Sequence, residues 1–381
     1  MRWALTNCEI YTGEEVLRDR AILIDGDRIA DVIPAGAVPH ELHALDCRGQ
    51  SVAPGFIDVQ VNGGGDLLFN DEPSAATVRA IATAHRRFGT TGLLPTFITD
   101  SPEKMGQAIE AVRTCLRDGD PGVLGIHLEG PFLNPAKPGC HPPDRIREMS
   151  AADLELMPDA EAGVSLVTVA PERVEPRLLA ELTHRVTRVS AGHTNATSEQ
   201  MKRGFERGIS CTTHLFNAMR PLQSREPGVA GAALADRDSW CGIIADGHHV
   251  AFEVVGIAWR AKAPGKLFLV TDAVSPVGGH VDTFTVGPHR AWVRDGRCQT
   301  EDGRLAGAVL DMASAVRNCI QHVGIPKDEA LRMASRYPAE FLGLSGRLGL
   351  IRPGHRADLV VFDDQINVSE VILAGQRSGS G

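Results

Sequence analysis

The sequence predicts an α/β fold, a (β/α)8 TIM barrel with a small β-sandwich domain formed from both chain ends. Three observations predict it. Eight short apolar runs recur through the middle of the 381-residue chain, at 56–61, 92–97, 123–128, 164–169, 188–191, 209–213, 241–245 and 267–270. Helix-like stretches separate most of them, among them 75–88, 104–117, 151–157, 175–187 and 198–207. Both chain ends read instead as short alternating strands. Runs that are apolar almost throughout suit parallel strands buried on both faces. Eight β/α units between Pro54 and Gly343 match a closed barrel. An open doubly wound sheet is the rival, but no GxGxxG opens a helix after the first run.

Taken in order, residues 3–5 and 21–24 are strand-like, and Asp25-Gly26-Asp27 separates 21–24 from a second run at 28–33. An Asp-Gly step between apolar runs is a hairpin signal. Residues 357–363 and 370–375 form a matching piece at the other end. The expected division is therefore 1–50 and 345–381 for the small domain and 51–344 for the barrel.

Composition narrows the function classes. The net charge of −9 argues against non-specific nucleic-acid binding, which needs a basic footprint. Eight cysteines form no CxxC, so neither a disulfide scaffold nor a thiolate zinc site is expected. Polar residues interrupt the first dozen positions, leaving no signal-like apolar stretch, and no apolar run approaches membrane length, so the expected setting is cytoplasmic.

A barrel carries its chemistry at the C-terminal ends of its strands. There the sequence places Glu129 in His127-Leu128-Glu129-Gly130-Pro131, His193 in Gly192-His193-Thr194, and His214 in Thr213-His214-Leu215. One carboxylate and two imidazoles suit zinc or a similar divalent ion with a position left open for water. Asp272, just past 267–270, is a carboxylate placed to take a proton from water and return it to a leaving amine. His127 shares a strand face with Glu129 and is expected behind the ligands rather than among them.

These motifs, with Pro54-Gly55-Phe56-Ile57-Asp58, His214-Leu215-Phe216-Asn217-Ala218-Met219 and Gly354-His355-Arg356-Ala357-Asp358, resemble the N-acetylglucosamine-6-phosphate deacetylase family of the amidohydrolase superfamily over nearly the whole chain. The resemblance implies a metal-dependent deacetylase that converts N-acetyl-D-glucosamine 6-phosphate to D-glucosamine 6-phosphate and acetate, in amino-sugar catabolism or cell-wall recycling. It assigns Glu129, His193 and His214 to the metal and Asp272 to proton transfer. His141 would polarise the acetyl carbonyl. Cys140, Asn217, Ala218, His249, Leu305, Ala306 and Gly307 would contact substrate. Arg225, in the Pro- and Gly-bounded loop 220–228, would reach the phosphate in the neighbouring active site of a homodimer. Many superfamily members carry His-x-His at the end of the first strand; here the pair is Gln60-x-Asn62. Neutral amides are weaker ligands than imidazoles, so one divalent ion per chain, with zinc the first choice, is expected. N-acetylgalactosamine 6-phosphate remains an alternative substrate. A cyclic amidohydrolase using a carboxylated lysine is a weaker rival, since no Lys ends an inferred strand. A non-catalytic scaffold would be expected to lack a ligand or the base.

Overall fold

The computed structural model describes residues 2–378. Met1 and residues 379–381, the tail of the expected small domain, lie outside the described residues. Eight parallel strands form one continuous ladder: Phe56–Val61, Thr90–Ile98, Gly125–Glu129, Val164–Val169, Arg188–Ala191, Cys211–Thr212, Trp240–Ile243 and Leu267–Leu269. Just past the eighth strand, the Asp272 amide donates to Gln60 O at 3.0 Å, and Asn62 N–H donates to Ala273 O at 2.9 Å. These bonds bring the last strand back to the first, and the architecture is a TIM barrel. All residues of the first four strands are buried, as their apolar runs require.

Polar caps set where several outer helices start. Ser74 and Ser101 accept amides in the first turns of Ala75–Arg86 and Pro102–Arg117. Thr197 and Gln200 form a reciprocal capping box on Ser198–Glu206, and Asp311 caps Met312–Asn318. Gly228–Ala235 and Phe252–Ala261 complete the helices between the sixth, seventh and eighth strands.

The chain ends share a separate, mostly antiparallel sheet. Leu359–Phe362 pairs with Ser51–Pro54, which leads on to Arg2–Tyr11, Val16–Asp25 and Arg28–Pro34. The Asp25/Arg28 pair closes the expected hairpin, with Gly26 at φ +60° in the turn. Its core, including Leu5, Ile22, Ile24, Leu359 and Ile372, is distinct from that of the barrel.

Several sequence boundaries need correction. The sixth strand is only Cys211–Thr212, because the chain leaves extended geometry at His214, φ 33°. The helix expected over 151–157 is a single turn, Ala151–Leu154. The helix after the eighth strand starts only at Met312, since Leu305 first bridges Gln299 and Ala308 bridges Ala273. Between the eighth strand and that helix lies an unanticipated three-stranded sheet, Thr283–Val286, His289–Arg294 and Arg297–Thr300. It docks on the barrel mouth, where Arg297 Nε donates to His248 Nδ1 at 3.1 Å.

Candidate active site

Glu129 closes the third strand; His193 and His214 lie two residues past the fifth and sixth, and Asp272 three past the eighth. His193, His214 and Asp272 adopt φ of 47°, 33° and 53°, a left-handed region that L-residues avoid. Such bends persist only where surrounding bonds impose them. Here Asn134 N–H donates to His193 O, Asn217 N–H to His214 O and Ala308 N–H to Asp272 O. The bends turn three side chains off the strand ends and into the barrel mouth. Gly139 approaches from the loop above, and a Cβ there would stand 2.9 Å from His193 Cε1.

Glu129 Oε1 lies 3.1 Å from His193 Nε2 and 3.0 Å from His214 Nε2, and the two Nε2 atoms are 3.1 Å apart. All three side chains are buried, and their ligand atoms fall within 4.8 Å of one another. His193 Nδ1 faces Lys137 O at 2.9 Å, so that nitrogen carries the proton and donates. The lone pair of a neutral His193 Nε2 then points at a carboxylate oxygen and another imidazole nitrogen. A cation among them resolves that clash, so the donor set fits a divalent ion.

Asp272 Oδ1 accepts from Asn62 Nδ2 at 2.7 Å and from Gln60 Nε2 at 3.1 Å. Gln60 Nε2 also lies 3.3 and 3.5 Å from the two Glu129 oxygens, so one neutral amide bridges both carboxylates. Burial and the nearby charge of Glu129 push the Asp272 carboxyl up, while His214, His249 and the Asn62 bond pull the other way. Burial holds His141 well below the usual histidine range and therefore neutral. Thr99 N–H donates to His141 Nδ1 at 3.3 Å, which leaves the proton on Nε2.

Glu129, His141, His193, His214 and Asp272 line a cavity of about 580 Å³. Its wall also contains Asn62, Cys140, Asn217, Ala218, His249, Leu305 and Gly307. A larger cleft, about 920 Å³, lies at the opposite pole beside Val123, Val164 and Thr187. Among the described residues the one metal-type cluster is not there, so chemistry and not size selects the site.

The remaining sequence candidates fall elsewhere. His127, expected behind the ligands, hydrogen-bonds to none of them. Its nitrogens face Thr96 Oγ1 at 3.2 Å and Thr168 Oγ1 at 2.8 Å in a polar layer lower in the barrel. Ala306 is buried behind the cavity wall, its amide bonded to Cys298 O. Arg225 is exposed and outside the cavity wall of its own chain. Glu226 does not pair with it but accepts from the amides of Ser198 and Gly228.

Sequence reasoning missed three supporting groups. Asp246 Oδ2 accepts from His249 Nδ1 at 2.7 Å, an Asp-x-x-His spacing that was there to be read. Thr99, at the end of the second strand, orients His141. Arg304 reaches the cavity rim from the segment following the inserted sheet.

Comparison with known proteins agrees with this layout. Residues 51–377 match the amidohydrolase family and residues 2–52 the NagA composite domain. The chain is 45% identical over 86% of its length to an N-acetylgalactosamine-6-phosphate deacetylase of Shewanella, covering 82% of that protein. It is 36% identical to an N-acetylglucosamine-6-phosphate deacetylase of Haemophilus influenzae, covering 99% of each chain. The crystal structure of N-acetylglucosamine-6-phosphate deacetylase from Pasteurella multocida superposes with a TM-score of 0.96 at 36% identity, covering 100% of both chains. Among the described residues no helix is long and apolar enough to cross a membrane.

Proposed function

The chain belongs to the amidohydrolase family, and from that premise we propose that it is a metal-dependent deacetylase of amino-sugar metabolism, releasing acetate from N-acetyl-D-glucosamine 6-phosphate. The observation that carries the reading is the meeting of Glu129, His193 and His214 around one carboxylate oxygen, with Asp272 in the same cavity wall. The 45% identity to an N-acetylgalactosamine-6-phosphate deacetylase keeps N-acetylgalactosamine 6-phosphate as the second reading.

In this reading Glu129, His193 and His214 hold one divalent ion per chain, with zinc the best match to the donor set. Gln60 places a neutral donor between the carboxylates, where a second cation would otherwise sit. Such an ion supplies Lewis acidity, polarising the amide carbonyl and making an attacking water more acidic. Asp272 accepts the water's proton during attack and passes it to the amine nitrogen as the C–N bond breaks; the steps are sequential, so one carboxylate serves both. His141 Nε2–H donates to the carbonyl oxygen as negative charge develops there. Cys140 Sγ donates to Leu305 O at 3.4 Å, tying the His141 loop to the turn at 305–307, which in this reading contacts substrate.

His249, held by Asp246, binds the 6-phosphate together with Asn217 and Ala218. Arg225 completes the phosphate clamp from the partner of a homodimer, for which its exposed loop is suited. Acetate release should be measured with both 6-phosphorylated epimers and with unphosphorylated N-acetylglucosamine. The reading expects turnover of a phosphorylated sugar, much reduced without phosphate. No acetate from either phosphorylated epimer would overturn it.

A further inference from the structure

The catalytic reading leaves one polar atom without a task. Asn62 Oδ1 is buried and has no hydrogen-bond partner among the described residues. The other end of the same carboxamide is fixed: Nδ2 donates to Asp272 Oδ1 at 2.7 Å. A carboxylate requires a donor there, so the amide orientation is set by chemistry and the orphan is an acceptor. The residue is 7% exposed and lines the same cavity as Asp272, Glu129 and His141. Leaving a buried acceptor unpaired is costly, and one in a cavity wall is placed to take a donor from whatever fills the cavity.

We propose that Asn62 Oδ1 accepts a hydrogen bond from the substrate's acetamide N–H, making Asn62 a catalytic residue that holds the leaving nitrogen beside Asp272. The proposal rests on the reading of this cavity as an amide-hydrolysing site. The geometry supports it. Oxygen and nitrogen of one carboxamide are about 2.3 Å apart. A nitrogen that donates to Asn62 Oδ1 on the side that Nδ2 turns to Asp272 is also within hydrogen-bond reach of the Asp272 carboxylate. In the chemical step the C–N electron pair goes to nitrogen, the proton on Asp272 moves to that pair, and the original N–H stays on Asn62 Oδ1. Nitrogen is thereby oriented with its lone pair toward the acid.

The test compares wild type with Asn62→Leu on two substrates: N-acetylglucosamine 6-phosphate and 2-O-acetylglucose 6-phosphate, an ester with no N–H. Loss of the Asp272 contact affects both, whereas loss of the acceptor affects only the amide. The amide kcat/KM should fall about 10- to 100-fold further than that of the ester. A second readout is calorimetric binding. Asn62→Leu should weaken glucosamine 6-phosphate about 10-fold while sparing 2-deoxyglucose 6-phosphate, which has no donor at that carbon. Equal losses on amide and ester, with unaltered amine binding, would overturn the proposal and leave Asn62 a positioning residue for Asp272. Failure of the wild type to release acetate from any phosphorylated substrate would instead count against the deacetylase reading; the binding comparison would still decide the role of Asn62.

Discussion

Replacing Asp246 tests the proposed phosphate end of the site. Asp246 is largely buried and accepts three bonds: His248 N–H and His249 N–H on Oδ1, both at 2.8 Å, and His249 Nδ1–H on Oδ2 at 2.7 Å. Burial by itself would raise this carboxyl, but the His249 hydrogen bond and charge, with the two amides, hold it below the ordinary range. Asp246 accepts from Nδ1, so a phosphate bound at Nε2 would have both ring nitrogens donating to ionised acceptors, and both bonds would be charge-assisted. Asp246→Asn keeps an oxygen for the backbone amides but presents an N–H to Nδ1. The ring must then accept at Nδ1 and keep one proton on Nε2. The phosphate retains a neutral hydrogen bond and loses the charge-assisted one, a difference of about 1–1.5 kcal/mol, or roughly 10-fold in kcat/KM. Asp246→Ala also frees the ring to turn and leaves two amides without their acceptor, so about 100-fold is expected. The assay is kcat/KM for N-acetylglucosamine 6-phosphate against N-acetylglucosamine, with circular dichroism to confirm folding. The loss should be confined to the phosphorylated substrate. Equal losses on both, or an undiminished Ala variant, would refute the assignment of His249 to phosphate.

Three other outcomes are expected. Asp272→Asn should lower kcat about 10²- to 10⁴-fold while metal content by elemental analysis stays unchanged, and near-normal turnover would move the base elsewhere. Arg225→Ala chains mixed with Asp272→Asn chains should regain activity as subunits exchange, because each heterodimer then has one intact site; confirmed exchange without recovery would place the arginine's action within its own chain or nowhere. Asp58 is fully buried, and burial pushes its carboxyl up to about 7 against bonds from Thr271 and the Gln60 amide. The native state thus keeps a proton that the unfolded chain releases near pH 4, so this group's stabilisation falls as pH rises between the two. From pH 5.5 to 7.5 the wild type should lose about 2 kcal/mol more in urea unfolding than Asp58→Asn, and parallel pH profiles would contradict that.

How much was legible follows from where the information lies. Glu129, His193, His214 and Asp272 stood out because each interrupts or directly follows an apolar run, and a barrel gathers strand ends at one mouth. The barrel strands were legible because burial on both faces leaves an unbroken apolar signal. The inserted sheet was not: strands such as His289–Arg294 and Arg297–Thr300 are half exposed and carry arginines and a histidine among their apolar residues. His127 was visible as a polar exception, but its neighbours were not. Thr96 and Thr168 lie on other strands, and only the parallel register brings them to its two nitrogens. Thr99 meets His141 across 42 residues of sequence, where only the folded loop over the barrel mouth brings them together. Asp246, three residues from His249, was local enough to find and was missed.

The most direct test of the central claim is acetate release by the purified protein from N-acetylglucosamine 6-phosphate and its galacto epimer, before chelation, after it, and after zinc is restored. The account predicts turnover of at least one epimer, abolished by chelation and recovered as about one zinc per chain returns. Undiminished acetate release from thoroughly metal-free protein, or recovery that requires two ions per chain, would contradict it.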